Sequence, residues 1–367
     1  MQKRAFFKLA VYGGILCLSV ALWSQERPPE KPPADNKTIT TGVSLVLVNV
    51  VVLDSYGFPV SGLTEKDFRV LDNEREQKIS AFQETSRPLN TVLMVDSSGS
   101  TYKKINLIKQ GAADFVRRIQ ESRPQDRLAL VNFNDDISLM AEFRTGWREK
   151  VALIQDNIEA MGGTALYDAI YLTTRDVVNR TPGRKMVVLY TDGVDNKSLK
   201  TFNETLRLVL TSDATFFILS VDNLKQVLAD AEQNQYSLSR RQYYEHIQGE
   251  SASRSGEVEP QWTYAMRNQF PAAAVLETTY RLSYQRLQRL AESTGGKYFR
   301  VGSYEELPGI YRLIASELPY YYTLGYQPDF KDAVEGEYHS IEIRLTGPGF
   351  EARHRKGYYY SKSKASQ

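Results

Sequence analysis

Between Asn90 and Val301 the chain repeats one arrangement: a short, almost wholly apolar run, then a longer stretch with apolar residues at helical spacing. The runs are TVLMV (91–95), RLALVNF (127–133), KMVVLYT (185–191), TFFILSV (215–221) and GKYFRV (296–301). Strands that are apolar at every position must be covered on both faces, which is the condition of a parallel sheet between helices. Ile105, Ile108, Ala112, Phe115 and Ile119 have the spacing of one covering helix. Leu166, Ile170 and Val177 supply a second, Leu287, Leu290 and Ala291 a third, and Ile310, Leu313 and Ile314 a fourth. Strand and helix alternating over about 220 residues predict a doubly wound, mostly parallel α/β domain, which we place at residues 89–318. A polar insertion, residues 222–280, interrupts it and is far longer than an ordinary connection. It reads either as a surface excursion, partly helical and partly disordered, or as a lid or specificity element over the binding face.

The flanks follow a different rhythm. In residues 43–88, Val46, Val48, Val50 and Val52 share one strand face, a turn follows at Asp54–Gly57, and FRVLDN and QKISAF read as further short strands. In residues 319–361, YYYTLGYQP reads as a strand. His339, Ile341, Ile343 and Leu345 alternate with polar residues, and FEARHRKGYYY reads as one last strand. Each flank is too small to close a core, so the two are expected to pair into one small β-sandwich into which the α/β domain is inserted. The basic run Arg353, His354, Arg355 and Lys356 is expected to guard a strand edge with charge.

Lys3 and Arg4 precede an apolar stretch from Leu9 to Trp23, which reads as a secretory signal over residues 1–24, cleaved after Ala21 or Ser24. At about 15 residues the stretch is short for a membrane span, and an uncleaved anchor is the alternative. Membrane association is expected only in that case. Residues 25–42 form a Pro-rich linker and residues 362–367 a tail. The single cysteine, Cys17, lies inside the leader, so the mature chain has no disulfide or thiolate metal site. Lipidation there is disfavoured by Ile15 and Leu16. With 46 basic and 44 acidic residues, a net charge of +2, bulk charge implies no nucleic-acid partner. Nothing in the sequence indicates an oligomeric state.

Ligands of open parallel sheets bind at the carboxyl ends of the strands. There the first strand delivers Asp96, Ser98 and Ser100, the loop MGGTALYDA delivers Thr164, and the third strand ends at Asp192. Two carboxylates and three hydroxyls on one sheet edge are a donor set for a hard divalent cation, Mg²⁺ or alternatively Mn²⁺ or Ca²⁺. So few charged donors leave the ion electrophilic toward an acidic group from another molecule. Asp195 is either a solvated turn residue or a group that orients the ligands. Asp168 is expected to meet the N-terminal dipole of its own helix, with a similar orienting role as its alternative. Tyr167 either borders the crevice or packs in the core.

DSSGS, GGTALYD and YTDG resemble the metal-ion-dependent adhesion site of von Willebrand factor A domains: D-x-S-x-S, then a threonine, then an aspartate. With VVLDSYGFPVSGLTEKDFRVLDNEREQKISAF before them and YYYTLGYQPDF and RHRKGYYY after, the chain resembles the secreted bacterial von Willebrand factor A-related family of acidobacterial type, over roughly residues 43–360. The resemblance implies a metal site of Asp96, Ser98, Ser100, Thr164 and Asp192. It also implies an extracytoplasmic binding or adhesion module whose protein or peptide partner completes the coordination with an Asp or Glu carboxylate. The alternative is an envelope structural or assembly protein whose metal only stabilises the fold. An enzyme is not expected. Ser98 stands where a phosphoaspartyl hydrolase needs its second carboxylate, and the histidines His246, His339 and His354 lie beside no evident nucleophile. G-x-S-x-G, H-E-x-x-H and G-x-x-x-x-G-K-[ST] motifs are absent.

Overall fold

The structure, a computed structural model, describes residues 45–84, 88–225, 228–229, 272–317, 320–328 and 334–360. The expected signal, the Pro-rich linker, the C-terminal tail, His246 and most of the 222–280 insertion lie outside the described residues.

The N-terminal flank forms β1 (Val46–Leu53), β2 (Phe68–Asp72), β3 (Arg75–Gln77) and β4 (Ile79–Glu84). The middle of the chain gives β5 (Leu89–Asp96), α1 (Ile105–Ser122), β6 (Arg127–Phe133), β7 (Ile137–Ala141), α2 (Trp147–Asn157) and α3 (Leu166–Thr173). It continues through β8 (Arg184–Thr191), α4 (Phe202–Thr211), β9 (Thr215–Val221), α5 (Ala272–Ser293), β10 (Lys297–Val301) and α6 (Leu307–Glu317). The C-terminal flank forms β11 (Tyr322–Tyr326), β12 (Tyr338–Leu345), β13 (Glu351–His354) and β14 (Gly357–Tyr359).

The central sheet runs β10–β9–β8–β5–β6–β7, parallel throughout except for the edge strand β7, which is antiparallel to β6. Successive residues of its strands serve opposite faces. Leu93, Val95, Leu130 and Val188 pack with Ile108 and Phe115 of α1, Ile154 of α2 and Ile314 of α6. Val92, Met94, Val131 and Leu189 pack with Ile170 of α3, Val209 of α4 and Leu287 and Leu290 of α5. This is the doubly wound layer order expected from uninterrupted apolar strands. The sequence pattern did not show β7, whose ISLMA is half exposed, and it over-assigned one residue: Leu313 of α6 is exposed.

The flanks build two four-stranded antiparallel sheets, β13–β1–β11–β4 and β14–β12–β2–β3, each mixing strands from both ends of the chain. Val46, Val48, Val50 and Val52 meet Phe68, Val70, Tyr322, Leu324, Ile341 and Ile343 in one core, which is the sandwich. The opposite face of β1 turns Val51 and Leu53 into the core of the α/β domain.

Two expectations about the C-terminal end are corrected. FEARHRKGYYY is two strands in different sheets, because the chain leaves β13 at His354 and enters β14 at Gly357. Both strands are edges of their sheets, as expected, but the basic run there does not guard them with solvated charge. Arg353 reaches Glu317 at the end of α6, Arg355 donates to the Ser212 carbonyl at 3.2 Å, and Lys356 N–H donates to the Ser293 carbonyl at 2.9 Å. His354 is buried and neutral, its Nδ1–H donating to the Arg355 carbonyl (2.7 Å) and its Nε2 accepting from Ile343 N–H (3.3 Å). Burial pushes its imidazole down to about 4. The run is a clasp between the sandwich and the helices of the α/β domain.

Candidate functional site

The strand order places β5 at the reversal point: the chain moves from β5 outward to β6 and β7, then returns to β8 on its other side. Crevices open at such a reversal, at the carboxyl ends of the strands. Asp96 ends β5, Thr191 ends β8 beside it, and Asp192 follows directly. Asp96 Oδ1 accepts the Ser98 N–H at 2.9 Å and Oδ2 accepts the Thr191 hydroxyl at 2.7 Å. The Ser98 and Ser100 hydroxyls lie 3.0 Å apart. The Ser100 hydroxyl and the Val194 N–H both favour the charged form of Asp192.

Thr164 arrives on the loop between α2 and α3. Met161 N–H donates to the Ser97 carbonyl (2.9 Å) and Gly99 N–H to the Gly162 carbonyl (3.0 Å), laying this loop along the one after β5. Thr164 N–H donates to Asn196 Oδ1 at 2.8 Å, and the Thr164 carbonyl accepts from Asn196 and Lys197 N–H, joining the loop after β8. The two glycines before Thr164 serve this close approach. A Cβ on Gly162, at φ +68°, would strike the Asp135 carboxylate, and one on Gly163 would lie 2.6 Å from Asn196 Oδ1 and Lys197 Cγ. Asp135 in turn accepts the Gly163 N–H at 2.6 Å.

The structure therefore joins Asp96, Ser98 and Ser100 by hydrogen bonds, sets Asp192 beside them at the end of the neighbouring strand, and carries Thr164 alongside through backbone bonds. Asp96, Ser98, Thr164 and Asp192 are buried, while Ser100 is exposed and marks the opening. Burial first, and the facing charge of Asp192 second, push the Asp96 carboxyl up to about 7, against the bonds from Ser98 and Thr191. Burial likewise raises Asp192. Two desolvated carboxylates, Asp96 raised further by the charge of Asp192, favour protons or a cation over the bare anions, and the hydroxyls around them are hard oxygen donors of the kind Mg²⁺, Mn²⁺ and Ca²⁺ take. The residues present fit such an ion.

Asp195 is 3% exposed, so its reading as a solvated turn residue is corrected: it accepts the Ser198 hydroxyl at 2.5 Å and the Tyr167 N–H at 3.3 Å. Asp168, in the first turn of α3, accepts the N–H groups of Leu199 and Lys200 at 2.9 and 2.8 Å rather than those of its own helix. Both carboxylates shape the loop after β8. Tyr167 packs in the core, edge-on to Phe202 at 5.8 Å. The sequence reading missed Thr191, Asn196 and Asp135. Thr191 ends β8 and Asp135 follows β6 at the same sheet edge, a placement that could have marked them. Asn196 carried no signal.

Comparison with known proteins agrees with this topology. Residues 90–245 match the family model of the von Willebrand factor type A domain. No curated protein matches the chain. Among solved structures, similarity extends to the vWF domain of the type V pili tip protein Mfa5 from Porphyromonas gingivalis, at 18% identity and a TM-score of 0.27, covering 29% of this chain and 38% of that one. It extends also to proximal thread matrix protein 1 of the mussel byssus, at 14% identity and a TM-score of 0.42, covering 75% and 50%. A von Willebrand factor type A protein from Catenulispora acidiphila is similar at 11% identity and a TM-score of 0.41, covering 82% and 75%. This chain thus spans half or less of the first two of these proteins, and likeness at this level carries no argument about function. The central domain has the von Willebrand factor type A fold, a mostly parallel sheet between helices, set on two antiparallel sheets that the flanks supply.

Proposed function

We propose that the chain is an extracytoplasmic binding module that engages a protein or peptide through a divalent cation held by Asp96, Ser98, Ser100, Thr164 and Asp192. The observation that carries this reading is the pair of buried carboxylates, Asp96 raised by burial and by the charge of Asp192, set beside the hydroxyls of Ser98 and the exposed Ser100. A bound Mg²⁺, or Mn²⁺ or Ca²⁺, would supply positive charge and an open position for an acidic oxygen of the partner. Asp96 and Asp192 would balance that charge, the three hydroxyls would complete the donor set, and Asp168 and Asp195 would fix the loop that carries Asp192. The basic, apolar N-terminal segment supports an extracytoplasmic location, and the flanking motifs support the resemblance to secreted bacterial relatives. Among the described residues no helix is long and apolar enough to cross a membrane. The reading is one of binding, not of catalysis.

The test pairs calorimetric titration of Mg²⁺ and Mn²⁺ with capture of envelope proteins, with and without EDTA, on wild type and Asp96→Asn. One ion bound and EDTA-sensitive capture by the wild type alone are expected. If Asp96→Asn captures the same protein and differs only in melting temperature, the metal serves structure and the adhesive reading fails.

A further inference from the structure

The three loops that deliver the donors also present large apolar side chains to solvent. Tyr102, two residues beyond Ser100, is 72% exposed, and Met161, three residues before Thr164, is 53% exposed. Leu199, in the loop after Asp192, is 85% exposed. Single exposed apolar residues are ordinary on a protein surface. One on each of three loops that meet at a single opening is a different matter, because none of the three packs into a core cluster of the fold.

Their mounting is rigid. Met161 is fixed by its backbone bond to Ser97, and the Thr164 carbonyl ties the loop of Leu199 to the loop of Met161. Tyr102 stands in a helical turn fastened by the Thr101 hydroxyl, which donates to the Ser98 carbonyl at 2.7 Å. Side chains held on pre-ordered loops lose little further backbone freedom when a partner covers them. Lys103, next to Tyr102, and Lys197, two residues before Leu199, are exposed on the same loops. Asp135 accepts the Gly163 N–H, and Asp136 beside it and Glu159, two residues before Met161, are exposed acids of the neighbouring loops.

We infer that this rim selects the partner segment: an Asp or Glu whose sequence neighbours are apolar, so that the carboxylate enters the opening while its neighbours settle on Tyr102 and Met161. The inference rests on the cation-dependent reading above and adds to it the chemistry of the ligand. A carboxylate in a polar or flexible context would engage the same ion without covering the rim.

The test uses immobilised peptides and surface plasmon resonance in Mn²⁺ buffer. The probes are Gly-Phe-Asp-Leu-Gly, Gly-Ser-Asp-Ser-Gly and Gly-Phe-Asn-Leu-Gly, with Mn²⁺ binding to each protein variant measured separately by calorimetry. Wild type should retain the first peptide about tenfold more strongly than the second and should not retain the third, since covering two side chains contributes at least that much. The double variant Tyr102→Ser, Met161→Ser should bind Mn²⁺ as wild type does and lose the preference. Equal retention of the first two peptides, or a preference that survives the double substitution, overturns the rim while leaving the cation reading in place. Retention of the Asn peptide would show simple apolar adhesion and overturn it as well. Failure of the wild type to bind Mn²⁺ would overturn both readings.

Discussion

Asp72 in the sandwich and Asp96 in the α/β domain are almost equally removed from water, at 4% and 0% exposure, yet their surroundings are opposite in kind. Asp72 is saturated from within the chain. Its Oδ2 accepts the hydroxyls of Tyr326 (2.8 Å) and Tyr358 (2.9 Å), and its Oδ1 lies 2.9 Å from Nδ1 of His339, whose ring stacks on Tyr358. Asp96 has two hydrogen bonds, but its nearest charged neighbour is another carboxylate. A buried charge that its own chain satisfies holds a fold together, whereas one that its own chain repels creates a demand for something from outside.

The sharpest way to break this contrast is to remove each carboxylate. Asp72→Ala removes the buried acceptor shared by the Tyr326 and Tyr358 hydroxyls and the carboxylate beside His339. It should lower the unfolding free energy by about 3–5 kcal/mol, equally in EDTA and in Mg²⁺, as read by urea denaturation. A loss that Mg²⁺ repaired would contradict the contrast. Saturating Mg²⁺ should stabilise wild type by about 2.7 kcal/mol at a hundredfold excess over its dissociation constant and Asp96→Asn not at all. Equal stabilisation of both proteins would remove the ion from this site.

Acid should sharpen the contrast further. Because the Asp96 carboxyl is raised to about 7 in the folded chain, its contribution is fully present below about pH 4 and is lost as pH rises through 7. His354, lowered to about 4, runs the other way, and its contribution is lost as pH falls from 6.5 through 4. Subtracting the Asp96→Asn curve from that of wild type, both in EDTA, isolates the aspartate. The difference should fall between pH 4 and 7 with a slope of at most about 1.4 kcal/mol per pH unit. A flat difference would mean that Asp96 is an ordinary anion. At pH 7 in EDTA, Asp96→Asn itself should be neutral or stabilising through relief of repulsion, where Asp72→Ala destabilises.

The halves of this comparison differed in how far the sequence disclosed them. The donors at the sheet edge were legible because each follows an apolar run, and a strand end is a place that periodicity can locate. Thr191 and Asp135 occupy such places too and were passed over because no motif position named them. Asp72 was not legible at all. It sits at the end of FRVLD, and its partners Tyr326, Tyr358 and His339 lie more than 250 residues away in sequence, brought to it only by pairing between strands of opposite flanks. The basic run misled for a related reason. Charge on a strand normally means solvent, but Arg353 and Arg355 find Glu317 and the Ser212 carbonyl across a domain boundary that local sequence does not reveal.

The interleaving of the flanks also has a mechanical meaning. Strand β1, where the described chain begins, is hydrogen-bonded to β11 and β13, and β14 leaves from the same sandwich. A pulling force that enters before residue 46 and exits after residue 360 would enter one sheet of the sandwich at β1 and leave the other at β14, loading the core between them, while residues 89–317 form a loop that starts and ends in that sandwich. The tension bypasses the sheet edge that holds Asp96 and Asp192. A load borne along the chain would have to open the sandwich before it could reach the grip.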